Sequence, residues 1–404
     1  MRRDLKEMKI KTFELCAGYD SQLMALERLK KKYSDFDYEC IGWSEIEPSA
    51  ITLHNACFPH LSGKNFGDMT KIDWSKVADF DLLTYSTPCQ SVSQAGKQKG
   101  IEEGSNTRSS ILWFTRNAII TRRPKYLLME NVEALVQDKF IGYFNKWRKE
   151  LESYGYDNYA KVINAADCGD PQNRKRVFMI SIRNDGEKTD YHFPRKIKLK
   201  KHLVDVLEEN VDEKYYLCDD LLTHEGGYLM FKGKKIFEGG VCAREPISAA
   251  LRTRSNGKWI KGEKHEQKVE LGKNMANAIT SVSKDSLVVL GFSRGKRGEV
   301  VNYHEKEVSN TIHTSSGSGS NMDEFVLNKT RLRIRRLTPR EIFRLMDVDE
   351  EYIDRILESG VSKSSLQKAA GNSIVVACME RILEELWFPE SKVKVADDGQ
   401  LCLF

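Results

Sequence analysis

The sequence predicts an α/β protein: a mostly parallel sheet interrupted by a smaller, mostly β insertion. Three observations carry this. Over residues 1–185, apolar strand-length runs alternate with helix-length amphipathic runs. From 191 to 330 helical periodicity fades, and short β-like pieces alternate with Lys, Gly and Ser. After 330 strong helix signals return. The expected organisation is a first domain over 1–190, an inserted domain over 191–330, and a segment 331–404 that rejoins the first domain.

The elements follow in order. "KIKTFELCAG" reads as a strand entering a turn, and "SQLMALERLKKKY" as an amphipathic helix. "YECIGWSE" and "DLLTYS" are further strands. "SSILWFTRNAIITRR" is a helix, "KYLLMENV" a strand and "FIGYFNKWRKELESYG" a helix. "NYAKVINAADCG" and "KRVFMISIRND" form a closing pair of strands. In the insertion, "PISAALRTRSNG", "MANAITSVSKDS" and "VSNTIHTSSGSGS" share a weak pattern of small, apolar and hydroxyl residues. The last is a Gly/Ser-rich piece suited to close backbone approach to a partner, or to a plain linker. "LTPREIFRLM" carries a full helix start: Thr338 as N-cap, Pro339 in the first turn and Glu341 closing a capping box. "AAGNSIVVACMERILEELW" is expected as one helix.

Composition narrows the function classes. In 404 residues, 40% are hydrophobic, which supports a real core. The formal charge of +5 barely favours a nucleic-acid partner, so any basic surface is local. No apolar run approaches a membrane span, and the opening "MRRDLKEMKIKTFELC" lacks a signal-peptide core. The nine cysteines stand singly, without a C-x-x-C pair, which argues against zinc and against a disulfide framework. A reduced, intracellular protein without a metal is expected.

Ligands of parallel α/β sheets bind at the carboxyl ends of the strands, and the chemically capable residues fall there. Cys89 follows the strand "DLLTYS" and Pro88, and opens the polar loop "QSVSQAGKQKG". Cysteine is usually a packed core residue. Here Lys97 and Lys99 supply positive charge that favours a thiolate, and a thiolate is a nucleophile. Glu130 ends an apolar strand, where a carboxylate either caps the next helix or serves as an acid. Gln172, Arg174 and Arg176 alternate into the last strand. Period two would send all three to one face, aimed at one anionic or carbonyl-rich ligand. "FELCAGYDS" has a single glycine, Gly18, and fails as a dinucleotide fingerprint. Yet Glu45 ends the second strand, where an acid would read ribose hydroxyls, and Asp68 ends the next segment. Turn, Glu and Asp in strand order point to an adenosine-containing cofactor.

These pieces in this order resemble the C5-cytosine DNA methyltransferase family. "STPCQSVSQAGKQKG" is similar to its Pro-Cys-Gln loop, "MENV" to its Glu-Asn-Val motif and "PQNRKRVFMI" to its Gln-x-Arg-x-Arg motif. "RRLTPREIFRLM" and "AAGNSIVVA" match its two C-terminal motifs. The resemblance covers residues 1–185 and 330–404; the middle lies where the family keeps its target-recognition domain. "NTIHTSSGSG" resembles that domain's Thr-Leu segment, with Ile312 in the leucine's place.

The resemblance implies a Rossmann-like methyltransferase sheet, S-adenosylmethionine as cofactor, double-stranded DNA as partner, a cytoplasmic monomer and no metal. It implies Cys89 as the nucleophile that adds to C6 of a flipped cytosine. Glu130 would bind the N3 and amino edge, and Arg176 O2, with Arg174 supporting it or contacting phosphate. Cofactor contacts would come from Ala17, Gly18, Glu45, Ile46, Asp68, Met69, Pro88 and Asn372. DNA contacts would come from Gln90, Ser91, Ser93, Gln172, Arg252, Arg254, Thr311, Ile312 and Ser315. Two departures stand out: Cys16 at the usual aromatic position, with Asp20 at the second glycine, and Ile46 where an aromatic residue is common. Both remove potential stacking on adenine. The same motifs also fit an RNA (tRNA) cytosine-5 methyltransferase or a non-catalytic DNA-binding relative. The recognition-sized insert favours DNA; intact Cys89, Glu130 and Arg176 favour catalysis.

Overall fold

The computed structural model describes residues 8–87, 103, 110–216 and 335–389, and elsewhere the backbone of the strands named below and of 108–109. Six strands form the main sheet: β1 (Met8–Leu15), β2 (Phe36–Ser44), β3 (Leu82–Tyr85), β4 (Tyr126–Val132), β5 (Tyr156–Asn164) and β7 (Lys175–Arg183). A two-residue strand, β6 (Gln172–Asn173), lies outside it. The order is β2-β1-β3-β4-β7-β5. The first four strands are parallel, and β7 runs antiparallel to both its neighbours. The expected closing pair is therefore the antiparallel hairpin of β5 and β7. The order reverses between β1 and β3, which opens a crevice at their carboxyl ends.

Both faces of the sheet are covered. On one face α1 (Ser21–Lys32), α2 (Pro48–Cys57) and the C-terminal helices bury Leu23, Leu26, Leu53, Phe343 and Ile382. On the other, α3 (Thr115–Arg122) and α4 (Ile141–Ser153) bury Ile119, Phe144 and Trp147. Two-sided cover explains why strands such as "DLLTYS" read as continuous apolar runs rather than alternating ones. The α1 side chain Arg28 fastens the C-terminal segment, meeting Asp347 Oδ2 at 2.5 Å, Asp349 Oδ1 at 2.7 Å and Glu380 Oε2 at 3.2 Å.

The Thr338 capping box forms with both of its hydrogen bonds. Its Glu341 also takes a forked pair from the buried Arg335. Other expectations need correction. The stretch read as one helix from 369 is two: Lys363–Asn372 and Val376–Trp387, broken at 373–375. The expected boundaries also shift. Tyr191, Leu203 and Val206 lie in the first core, so that body extends beyond 190. Arg331–Arg336 still pairs with Leu287–Arg294 in a second sheet, whose other strands are Ile247–Arg252, Lys268–Lys273 and Val300–Asn302. A separate antiparallel trio spans Leu222–Glu225, Tyr228–Phe231 and Lys234–Glu238. The helix α2, with Pro48 in its first turn, was not foreseen from the sequence.

Candidate active site

The crevice predicted by the strand order holds a cavity of about 510 Å³, within the usual size of cofactor sites. Its first wall is the end of β1 and the start of α1. Gly18 there has φ +63°, which a glycine adopts without strain. The end of β2 supplies Glu45, whose carboxylate is gripped by backbone amides. Gly18 N donates to Oε2 at 3.1 Å; Ile46 N and Glu47 N donate to Oε1 at 2.8 and 2.9 Å. Asn65 holds the same turn by bonding both the amide and the carbonyl of Glu45. Ile46 projects into the cavity and is 68% exposed. Asp68 accepts from the amide and hydroxyl of Thr70, at 3.0 and 2.7 Å. Those bonds and Lys71 hold its carboxyl below the usual range.

The opposite end of the cavity is lined by Thr87, Glu130, Arg174 and Arg176. Strands β3 and β4 are neighbours, and Asn131 Nδ2 donates to the Thr87 carbonyl at 3.2 Å. Thr87 is the last described residue before Pro88 and Cys89, so the root of the thiol's segment is pinned beside Glu130. Glu130 is buried, with Arg176 Nε 3.1 Å from its Oε1. Burial raises its pKa, and the two arginines pull it part of the way back. A carboxyl so placed holds a proton at higher pH than a free glutamate and can donate it.

Arg174 is not where a phosphate contact would sit. It is buried, and its Nη2 donates to the carbonyls of Gly371 at 2.9 Å and Ser373 at 2.5 Å. It braces the helix break that carries Asn372 into the cavity wall. Gln172 is a second correction. It is fully buried and its amide donates to the Leu345 carbonyl, so it faces the C-terminal helices and not DNA. The three alternating side chains therefore do not share one face. The backbone turns between them, with Gln172 N bonding Asp170 O and Arg174 N bonding Gln172 O.

Ala17, Met69 and Asn372 complete the set of predicted residues gathered at the cavity. Pro88, Cys89, Gln90, Ser91, Ser93, Arg254, Thr311, Ile312 and Ser315 lie outside the described residues, and Arg252 is described in backbone alone. Sequence reasoning missed Glu47 and Lys368, which also line the cavity. Their signal was proximity: two residues after Glu45 and four before Asn372. Cys16 lines the cavity too. Burial, then the charges of Glu45 and Asp68, push its thiol far up, so it is no rival nucleophile. Among the described residues no cluster of His, Cys, Asp and Glu could hold a metal, and no helix is long and apolar enough to cross a membrane.

A doubly covered sheet, reversed at β1/β3 and carrying an acid-lined crevice that runs into a buried Glu–Arg pair, defines a Rossmann-like methyltransferase. The family model for C-5 cytosine-specific DNA methylases matches residues 10–387, and the chain belongs to that family. It is a DNA (cytosine-5) methyltransferase. The type II methyltransferase M2.ScrFI of Lactococcus lactis subsp. cremoris is 32% identical, over 94% of this chain and 99% of its own. The orphan methyltransferase M.SPRI of Bacillus phage SPR is 29% identical, over 94% and 97%. Solved structures share the fold: Dnmt2 of S. pombe has a TM-score of 0.57 at 17% identity, over 94% of this chain and 100% of that one. A methyltransferase of Entamoeba histolytica gives 0.58 at 16%, over 94% and 98%.

Proposed function

We propose that the cavity binds S-adenosylmethionine at its Glu45 end and a flipped cytosine at its Glu130 end, with Cys89 as nucleophile. The observation that carries this is the single cavity joining both ends. The residues present fit the cofactor. Glu45, fixed by three amides, offers its remaining lone pairs to ribose hydroxyls, and exposed Ile46 offers an apolar face to adenine. Ala17, Gly18, Asp68, Met69, Pro88 and Asn372 complete the cofactor set. The bound cofactor supplies an electrophilic methyl group.

The Cys89 thiolate adds to C6 of the target base, which makes C5 nucleophilic. Glu130 donates its proton to N3 and accepts from the 4-amino group. Arg176, held by Glu130, steadies O2 and limits charge build-up on the ring. After methylation a base takes the C5 proton, Cys89 departs by elimination as a thiolate, and Glu130 takes back the N3 proton. A base inside a duplex cannot be reached in this way, so the target is extruded. Gln90, Ser91 and Ser93 would cover it. Arg252, Arg254, Thr311, Ile312 and Ser315, in the segment between the two halves of the catalytic body, would read the site or hold phosphate. The protein acts as a cytoplasmic monomer on double-stranded DNA, alone or beside a restriction enzyme.

Cys89→Ala tests the mechanism. It should abolish methyl transfer and preserve DNA binding. The wild type should form a covalent adduct on duplex containing 5-fluorocytosine. Near-normal methylation by the variant would refute the nucleophile, and transfer to tRNA but not duplex DNA would refute the substrate.

A further inference from the structure

The whole chain carries a formal charge of +5, and one short stretch holds an equal excess. "RKIKLKKH", residues 195–202, has five cations and no carboxylate. It runs without helix or strand between β7 and the short helix Leu203–Val206. Its burial alternates. Lys196, Lys198 and Lys200 are exposed, while Ile197 and Leu199 between them are half-buried.

The stretch is fastened along its length. Arg381, on the helix Val376–Trp387, donates to the Arg195 carbonyl at 2.8 Å. Ile197 N donates to the Asp167 carbonyl at 3.0 Å, and Lys200 N to the Gly169 carbonyl at 3.1 Å. Gly169 has φ +92°, and a Cβ there would stand 3.1 Å from Ile197 Cδ1 and 3.2 Å from Lys200 Cγ. The absent side chain lets the stretch lie close against the turn Ala165–Cys168. That turn follows β5. Because β7 is antiparallel to both β4 and β5, β5 points the same way as β4. Its end at Asn164 therefore shares the carboxyl edge of the sheet with Glu130, and Ile163 pairs with Arg176. The lysine row borders the catalytic end of the sheet on its β5 side. Just beyond the turn, Gln172–Asn173 pairs with Ala276–Asn277 of the inserted segment.

Two of the five cations are answered within the protein. Lys196 meets Asp167 Oδ2 at 3.1 Å, and Lys201 meets Asp347 Oδ1 at 3.1 Å. Among the described residues, Arg195, Lys198 and Lys200 have no carboxylate partner. Unpaired like charges so close together repel, and a polyanion removes that repulsion.

We propose that Lys198 and Lys200, with Arg195 beside them, hold the phosphate backbone of the duplex next to the extruded base. The row supplies affinity from the catalytic body that is blind to sequence. This rests on reading duplex DNA as the substrate. The spacing agrees. Two residues of chain span at most about 7 Å. Phosphates of one strand stand about 3.4 Å apart along the duplex axis, and farther along the winding backbone itself.

The test is binding of a mixed-sequence duplex by the double variant Lys198→Gln/Lys200→Gln, read by fluorescence anisotropy over a salt series. Each phosphate contact contributes about 0.9 to the slope of log affinity against log salt, so the slope should become shallower by about 1.8. A fourfold rise in salt should then weaken the variant about 10-fold less than wild type. Affinity for S-adenosylhomocysteine, the methylation rate at saturating DNA and the target preference should not change. Lys198→Arg/Lys200→Arg keeps the charge and should keep the wild-type slope. An unchanged slope in the glutamine variant would overturn the proposal and leave the lysines a solvated face. A shallower slope in both variants would also overturn it, tracing the loss to altered packing. A changed target preference would make the row a reader of bases, against the proposal. If the wild type binds tRNA but no duplex, the substrate reading fails and takes this assignment with it.

Discussion

Arg174→Lys separates bracing from DNA contact. The Arg174 guanidinium sends one nitrogen to two carbonyls, Gly371 at 2.9 Å and Ser373 at 2.5 Å, on either side of Asn372. Lysine keeps the charge, but its ammonium sits on a differently shaped stem and cannot reproduce the planar fork. At least one carbonyl then loses its donor. A hydrogen bond from a charged donor contributes about 1.5–3 kcal/mol, and a carbonyl left buried and unpaired costs about 1–3 kcal/mol. If roughly half of that loss is felt at Asn372, cofactor affinity falls by about 10-fold or more. The melting temperature should drop by a few degrees, at about 2–4 °C per kcal/mol for a chain above 150 residues. Calorimetry with S-adenosylhomocysteine reads the first effect. DNA binding at several salt concentrations supplies the control. Intact cofactor affinity, combined with weaker DNA binding and a salt slope reduced by about one, would mean that Arg174 holds a phosphate. The bracing argument would then be wrong.

Glu130→Gln should slow methyl transfer by about 10²-fold or more while leaving cofactor affinity intact; single-turnover rates check this. The pH dependence has a definite sign. Burial raises the Glu130 pKa and Arg176 lowers it. In Arg176→Ala the carboxyl should keep its proton to higher pH, and the alkaline loss of rate that follows Glu130 ionisation should move upward. Asp170 is buried, and burial followed by the charge of Asp347 raises its pKa well above normal. Its neutral form favours folding, so its contribution is full below the ordinary aspartate pKa and is lost as pH rises through the raised value. Urea unfolding should therefore show Asp170→Asn gaining on wild type as pH increases. Thr311→Ala should relax target preference in a randomised duplex library and leave cofactor affinity unchanged; the same preference in both proteins would move recognition elsewhere.

The strands of the first half were legible because apolar runs of four to nine residues, bounded by turn residues, are the length of buried strands and too short for most helices. The strand-end acids followed from them: Glu45 and Glu130 reach one cavity because β2 and β4 are parallel. What failed was set by distant contacts. The helix α2 carries Thr52, His54 and Asn55 and has no clean apolar stripe; His54 is buried because it stacks on Trp43, with centroids 3.6 Å apart. The break at 373–375 is invisible locally, since "SIVV" suits either state. It is held by Arg174, 197 and 199 residues away in sequence. Period-two reasoning over Gln172, Arg174 and Arg176 assumed an unbroken strand. The chain instead pairs Gln172–Asn173 with Ala276–Asn277 and turns before β7 begins at Lys175.

The departures from the family pattern at the first strand have a physical answer. Asp20, in place of a glycine, takes φ 70° and ψ 61°, the left-handed conformation that glycine adopts freely. The strain is about 1 kcal/mol. It is offset locally, because Asp20 caps α1 by accepting from Leu23 N at 3.1 Å, a contact that contributes about 1 kcal/mol. Its second oxygen meets His54 Nε2 at 3.2 Å, and both side chains are fully buried. The loop thus keeps the shape a glycine would give it, and Gly18 still turns its amide to Glu45. The missing aromatic is answered differently. Cys16 lies against Met69, with sulfurs 3.7 Å apart, and both line the cavity with exposed Ile46. Sulfur and aliphatic surface replace a ring face. Such a wall can still bury an adenine by dispersion, without the directional preference of aromatic stacking. On the proposed reading of the cavity, affinity for the adenosine end would depend more on the amide-locked Glu45 than on stacking, which would place the burden of recognition on the polar rim of the cleft.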